Sequence, residues 1–372
     1  MALAIYRKYR PTTFEDLLGQ ELIIKIIKEA AKQDKLSHAY LFTGPRGTGK
    51  TTTARLIAKI ANCQKRINDE NFKKLGEPCN TCNSCQTIDE NRNLDVIEID
   101  AASNRGIDEI RNLKEIIKTA PNIGPYKIFI IDEAHMLTKE AFNALLKTLE
   151  EPPEYTIFIL ITTEFDKIPA TIKSRTQQFL FKKIPLNLIV QKLQKICDQE
   201  KINIDQNALE LIASTADGSF RDAESLLDEM FSAGTKKITL NDVEKSIGIV
   251  GFNNIYTITN FLLTNDLNNS LNKIYEIYNN GYNILQLTKD LIQHLRRIIV
   301  LKYNPNLAQE FKKELTEEDI NKILAQSKLF SDKHLNLLKN LLSALVQMRY
   351  SQFPIIPLEI ALIESFKIEK NK

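Results

Sequence analysis

The segment Gly44-Pro45-Arg46-Gly47-Thr48-Gly49-Lys50-Thr51 matches G-x-x-x-x-G-K-[ST] at every fixed position. It stands between an apolar run, Ala39-Tyr40-Leu41-Phe42-Thr43, and a helix-like run that begins Thr52-Thr53-Ala54-Arg55-Leu56. Such a loop needs a buried strand to deliver it and a helix N-terminus to leave it, which restricts the surrounding chain to a layered α/β fold. The glycines permit backbone angles that turn successive N–H groups inward. Lys50 can then reach the outer phosphates, and the Thr51 hydroxyl can ligate Mg²⁺. The expected ligand is a nucleoside triphosphate, held by Gly44 to Thr51.

The rest of the pattern agrees. Val96-Ile97-Glu98-Ile99-Asp100, Lys127-Ile128-Phe129-Ile130-Ile131-Asp132 and Thr156-Ile157-Phe158-Ile159-Leu160-Ile161-Thr162 are short, β-branched runs, as buried parallel strands require. Residues 107–118 and 139–149 between them have the spacing of helices packed on a sheet. After Pro185 the strand-like runs stop. Residues 186–200, 206–216, 221–232 and 240–247 read as helices, Gly248-Ile249-Val250-Gly251-Phe252 as a hinge, and the remainder from about Asn253 as helical again. The expected domains are 1–183 (α/β), 184–247 (small, helical) and 248–372 (all-helical).

The length of 372 residues suits two or three domains, and 43% hydrophobic with 26% charged residues is the balance of a globular protein. No apolar run is long enough to span a bilayer, and the first residues do not form a signal peptide. The expected location is the cytoplasm. A net charge of +3 excludes a wholesale nucleic-acid-binding surface, so any DNA contact must be local or shared between subunits.

A phosphate loop only binds; hydrolysis needs a metal anchor and a group that orients water. Residues 128–131 end in Asp132-Glu133, two carboxylates at the carboxyl edge of a parallel strand, where open α/β sheets bind ligands. Asp132 would hold Mg²⁺ together with Thr51, and Glu133 would polarise the attacking water. His135 reads as a capping or packing residue. Thr162-Thr163 ends the next strand, where a hydroxyl could report the γ-phosphate or merely follow strand propensity. Arg175, before the last strand, and Arg221, opening a helix in Gly218-Ser219-Phe220-Arg221-Asp222, each have a bland alternative as solvated or capping residues.

Three stretches carry a resemblance: the phosphate loop, the acidic strand Ile-Ile-Asp-Glu-Ala-His-Met-Leu, and Ala141-Phe142-Asn143-Ala144-Leu145-Leu146-Lys147-Thr148-Leu149-Glu150-Glu151-Pro152-Pro153. With the amino-terminal Tyr6-Arg7-Lys8-Tyr9-Arg10-Pro11, they closely resemble the bacterial clamp-loader ATPases of the DNA polymerase III gamma/tau family. The match is strong to about residue 247. The resemblance implies an AAA+ ATPase domain with a zinc-module insertion at about 62–90, a helical lid, and an all-helical collar that oligomerises. It implies Lys50, Asp132 and Glu133 as catalytic residues, Thr163 and Arg221 as nucleotide sensors, and Arg175 as a finger completing a neighbour's site in trans. Tyr9-Arg10-Pro11 would pass beside the adenine, although a strap packing on the core explains the segment nearly as well. Thr176 stands where the family usually has cysteine, with little expected consequence for catalysis. Implied partners are delta-like and delta-prime-like subunits, copies of the chain itself, a sliding clamp and primer-template DNA. Holoenzyme membership is not polymerase chemistry, since no polymerase carboxylate site is found.

Cys63, Cys79, Cys82 and Cys85 fall within one insertion, and Cys79-x-x-Cys82-x-x-Cys85 brings three thiolates into a tight turn. A fourth ligand from Cys63 would close a tetrahedral structural zinc site. Disulfides, disfavoured in a reducing cytosol, and free thiols are the rival readings. The family carries a zinc module here, although the gap after Cys63 is longer in this chain. Cys197 reads as a small buried residue.

The function expected is therefore that of an ATPase motor, with ATP, Mg²⁺ and structural Zn²⁺, that loads a sliding clamp. The alternatives are another DNA motor of the superfamily, such as a branch-migration helicase, and a non-hydrolysing scaffold. No basic recognition helix favours the first, and Glu133 argues against the second. The length suggests the short, gamma-like form.

Overall fold

The structure is a computed structural model, which describes residues 4–103, 113, 115–234, 237–248, 250–311 and 317–367. The helix expected over residues 107–118 lies largely outside the described residues. Two compact units divide the chain, Met1–Ile238 and Thr239–Lys372.

Among the described residues the first unit is built on five parallel strands: β1 (Ala39–Thr43), β2 (Val96–Asp100), β3 (Lys127–Asp132), β4 (Thr156–Thr162) and β5 (Gln177–Leu180), in the order β2-β3-β4-β1-β5. β1 and β4 are buried along their whole length and β3 along all but its last residue, as unbroken apolar runs demand. The edge strands β2 and β5 are more exposed. Alternation sorts the side chains onto two faces. Tyr40, Phe42, Ile128, Ile130, Ile157 and Ile159 pack with Ile23 and Ile27 of the helix Glu21–Lys32 and with Ala54, Leu56 and Ile57 of the helix Lys50–Asn62. Leu41, Phe129, Ile131, Phe158 and Leu160 pack on the opposite side with Ala141, Phe142, Leu145 and Leu149 of the helix Lys139–Glu150. Chain order reverses beside β1, so the carboxyl ends of β1, β3 and β4 open a crevice at the phosphate loop.

The helices Leu186–Glu200, Gln206–Thr215 and Phe220–Ser232 follow. A parallel bridge between Ile204 and Ile238 ends the unit. The helix Leu240–Ile247, expected with these three, belongs to the second unit. Its capping glycine, Gly248, accepts a hydrogen bond from Asn283 N–H at 3.4 Å, just ahead of the helix Ile284–Tyr303.

The second unit is helical. Ile284–Tyr303 runs through its centre and contributes Leu287, Leu291, Leu295 and Ile298 to a core shared with Phe252–Leu263, Leu267–Asn279, Glu317–Leu329, His334–Met348 and Ile355–Lys367. The core encloses a polar chain in which His294 Nε2 lies 2.7 Å from Gln326 Oε1, and Gln326 Nε2 donates to Tyr256 O at 2.9 Å.

Candidate nucleotide site and cysteine cluster

At the end of β1 the backbone enters conformations open to glycine. Gly44 has φ +137°, and a Cβ there would fall 2.2 Å from Phe181 O. Gly47 has φ +74°, and its Cβ would strike the Ser219 hydroxyl. Ser219 caps the helix Phe220–Ser232, and Phe220 N–H donates to Gly47 O at 3.1 Å, so the lid's leading edge lies on the phosphate loop. Lys50 is buried and folds back, its Nζ donating to Gly44 O at 2.8 Å and Pro45 O at 2.6 Å. Burial pulls its ammonium below the usual lysine range, and the nearby Asp132 and Glu133 oppose that shift. Thr48 donates to Pro45 O at 2.9 Å and holds the loop's shape.

β3 delivers the acidic pair. Thr51 Oγ1 donates to Asp132 Oδ2 at 2.9 Å, so the two residues expected to share a magnesium ion already adjoin. Both offer hard oxygen donors, which suit that cation. Glu133 adopts φ +48°, a left-handed conformation uncommon outside glycine, which turns it out of the strand line. Its Oε2 accepts from Thr163 Oγ1 at 3.2 Å.

One pocket gathers Arg10, Pro11, Arg46, Gly47, Thr48, Gly49, Lys50, Thr51, Asp132, Glu133, Thr163 and Arg221. Gly44 and Pro45 shape the loop from behind and do not line it. Tyr9 does not line it either; its hydroxyl donates to Glu200 at the end of the helix Leu186–Glu200. Tyr6 lines the pocket instead and receives the Arg221 guanidinium over its ring at 5.1 Å. The short helix Ile5–Lys8 carries Tyr6 and is capped by Tyr9, turning one toward the lid arginine and the other toward Glu200, a distinction invisible in Tyr6-Arg7-Lys8-Tyr9. The sequence reading also missed Leu17, Leu18, Lys192, Phe220 and Glu224 in the wall. Glu224 is buried and pairs with Lys192 at 2.6 Å, while Lys192 Nζ sits 4.6 Å from the Phe220 ring centroid. Burial raises the Glu224 carboxyl above its ordinary range, only partly offset by Lys192. The helical spacing of Phe220 and Glu224 was the available signal.

Arg175 lies outside this pocket. It borders a shallow groove with Ser37, His38 and Glu150, pairs with Glu150, and donates from Nη1 to Thr171 O at 2.9 Å. Thr176 donates to Ile172 O at 3.1 Å beside the helix Ala170–Lys173.

Cys63 ends the helix Lys50–Asn62, Cys82 caps the helix Asn83–Asp89, and Cys85 lies within the latter. Their Sγ atoms and that of Cys79 all lie within 4.8 Å of one another. Four sulfurs about 2.3 Å from one tetrahedral ion stand about 3.8 Å apart, so the set fits zinc. Backbone N–H groups of Cys79 and Cys82 point at Cys63 Sγ (3.4 Å) and Cys79 Sγ (3.3 Å), as thiolates require. A hydrogen bond from Cys85 holds the Cys63 thiol well below the usual thiol range, while that shared proton and burial push Cys85 up. Fully buried Lys59 reaches Asp89 at 2.7 Å and ties the insertion to the phosphate-loop helix. Cys197 stands apart, buried, its thiol pushed up to about 11 chiefly by desolvation.

Fold and pocket together define a P-loop NTPase domain with a helical lid and a four-cysteine insertion. Family models match along the chain: DNA polymerase III, delta subunit, over residues 19–185; DNA polymerase III clamp loader subunit, ATPase lid domain, over 188–236; and DNA polymerase III subunits gamma and tau domain III, over 238–370. DNA polymerase III subunit tau of Bacillus subtilis is 41% identical over 97% of this chain and 62% of its own length. DNA polymerase III subunit gamma/tau of Mycoplasma genitalium is 44% identical over 78% of this chain and 48% of its own. DNA polymerase III subunit gamma of Buchnera aphidicola is 38% identical over 81% of this chain and 80% of its own. The chain belongs to the DNA polymerase III subunit gamma/tau family. It spans 62% and 48% of the first two of these relatives. No helix among the described residues is long and apolar enough to cross a membrane.

Proposed function

We propose that this chain is the ATPase motor subunit of a clamp loader, coupling ATP binding and hydrolysis to placement of a sliding clamp on primed DNA. The observation that carries the reading is the pocket itself. Phosphate loop, acidic pair, Thr163 and lid arginine converge on one space, while Arg175 stands away from it.

In this reading the loop N–H groups and Lys50 hold the phosphates, for which Lys50 must exchange its bonds to Gly44 O and Pro45 O. Thr51 and Asp132 hold magnesium, which when bound neutralises charge on the phosphate oxygens. Glu133 orients a water whose oxygen bonds to the terminal phosphorus as the bond to the bridging oxygen breaks, and takes up its proton. Arg221 couples nucleotide to the lid, and Arg175 enters the site of a neighbouring copy. Such a finger is worth about 10³–10⁵ in rate in related phosphoryl transfers. ATP shifts the assembly toward its clamp-holding state only by the difference in its affinity for the two states.

Leu342, Val346, Tyr350, Phe353 and Ile356, exposed on and between the last two helices, suit the second unit to association with partner subunits. The cysteine insertion holds a structural zinc ion. The chain works in the cytoplasm and performs no nucleotidyl transfer itself. Reconstitution with delta-like and delta-prime-like subunits, clamp and primed circles tests the proposal. ATP turnover and clamp transfer that both depend on primed DNA are expected; no turnover in any combination would sink it and leave a nucleotide-dependent scaffold. Incorporation of labelled nucleotide by the isolated chain would contradict the absence of polymerase chemistry.

A further inference from the structure

Behind Glu133 lies a histidine that the proposed chemistry does not use. His135 sits on the short turn Ala134–Met136 after β3, its side chain 7% exposed. Its Nε2 is 3.2 Å from Glu164 Oε1. A carboxylate only accepts, so Nε2 carries the proton and, in the neutral ring, Nδ1 is an acceptor. Nδ1 is 3.0 Å from Thr162 Oγ1. That hydroxyl already accepts the Glu164 backbone N–H at 3.0 Å, which leaves its own proton for Nδ1. The bonds close on themselves: Glu164 N–H to Thr162, Thr162 O–H to His135, His135 N–H back to the Glu164 carboxylate.

This closed ring clamps the end of β4 to the turn after β3. Thr163 is the residue it encloses, and Thr163 Oγ1 donates to Glu133 Oε2 at 3.2 Å. His135 itself is 3.5 Å from the same oxygen, too far for a hydrogen bond, so its influence runs through the clamped threonines. Glu133 holds a left-handed backbone, a conformation that persists only where its surroundings impose it.

We propose that His135 is a positioning residue, which through the Thr162–Glu164 ring fixes Thr163 and thereby aims the Glu133 carboxylate. The proposal rests on the reading of Glu133 as the water-orienting group. It concerns orientation at one carboxylate oxygen, so it predicts an effect on turnover and not on nucleotide capture.

The test compares His135→Ala, His135→Gln, His135→Phe, Thr162→Val and the double variant His135→Ala/Thr162→Val in the reconstituted complex, with Lys74→Ala, exposed in the cysteine insertion and touching no member of the ring, as control. His135→Ala and Thr162→Val are each expected to lower kcat about 10- to 100-fold, with nucleotide affinity within about threefold of wild type. The double variant should be no worse than the poorer single one, because both open the same ring. A glutamine amide can donate to Glu164 and accept from Thr162, so His135→Gln should recover most of kcat. Phenylalanine fills the space without either bond and should not. Retention of kcat by His135→Phe with loss in His135→Gln, multiplicative losses in the double variant, or affinity falling in step with kcat would each overturn the proposal. If the wild-type complex shows no turnover, the hydrolysis reading fails, and nitrogen-15 spectra of the histidine rings decide on the ring. An Nε2-protonated His135 whose Nδ1 resonance moves in Thr162→Val supports it; an Nδ1-protonated ring overturns it.

Discussion

Glu133 is where the account of the chemistry is most exposed to test. Its backbone is turned out of β3, its carboxylate is held by Thr163, and its neighbour Asp132 is committed to Thr51. Glu133→Gln keeps shape and bonding capacity but cannot take a proton. Turnover should fall about 10²–10⁴-fold, the range for loss of a general base, while filter-bound or fluorescent nucleotide is retained as by wild type. Lys50→Ala should abolish retention itself, and turnover with it. At Tyr6 and Tyr9 the sequence could not distinguish the wall residue from its neighbour. The choice depends on which way a single helical turn rotates, and that is set by Asp228, which accepts the Ile5 N–H at 3.2 Å, and by Glu200.

Among elements, the strands were the most legible. The runs at β1, β3 and β4 coincide with strands because burial on both faces leaves no polar alternation to misread, and β2 coincides with its run although it is an edge strand with Glu98 and Asp100 exposed. The boundary after Ile238 was not, since it depends on the Ile204–Ile238 bridge and on Asn283 reaching Gly248, contacts distant in sequence. That the four cysteines of the insertion meet was legible from their spacing, but not the insertion's attachment through buried Lys59 and Asp89. Metal analysis should find about one zinc per chain, the stoichiometry of a four-thiolate site. Strong chelation should lower the melting temperature, and Cys85→Ser should remove both zinc and the chelator's effect. Cys197, raised to about 11, should stay unreactive toward thiol reagents at pH 8 until the chain unfolds. In the helix Ile284–Tyr303, burial lifts the Asp290 carboxyl to about 6, against 3.8 ordinarily, with the Gln286 hydrogen bond only partly offsetting it. The folded state therefore holds this proton more tightly than the unfolded one. The stability it confers is fully present below the unfolded pKa of 3.8 and lost as pH rises through about 6. Asp290→Asn should raise the melting temperature at pH 8 and leave it nearly unchanged at pH 4, whereas equal shifts at both would contradict the burial argument.

At the scale of the molecule, the pocket and Arg175 have to be considered together. Every other residue expected to handle the γ-phosphate lines one space, and Arg175 borders a different groove, paired with Glu150. In the function proposed above, one copy's pocket is completed by another copy's Arg175. It is tested most directly by ATP turnover in assembled complexes that mix Arg175→Ala chains, which bind nucleotide, with Lys50→Ala chains, which do not but still present the arginine. Each variant alone should be nearly inactive on primed DNA with clamp, and the mixture should recover a substantial part of wild-type turnover. Wild-type turnover by Arg175→Ala alone, or a mixture as inactive as its components, would contradict the claim.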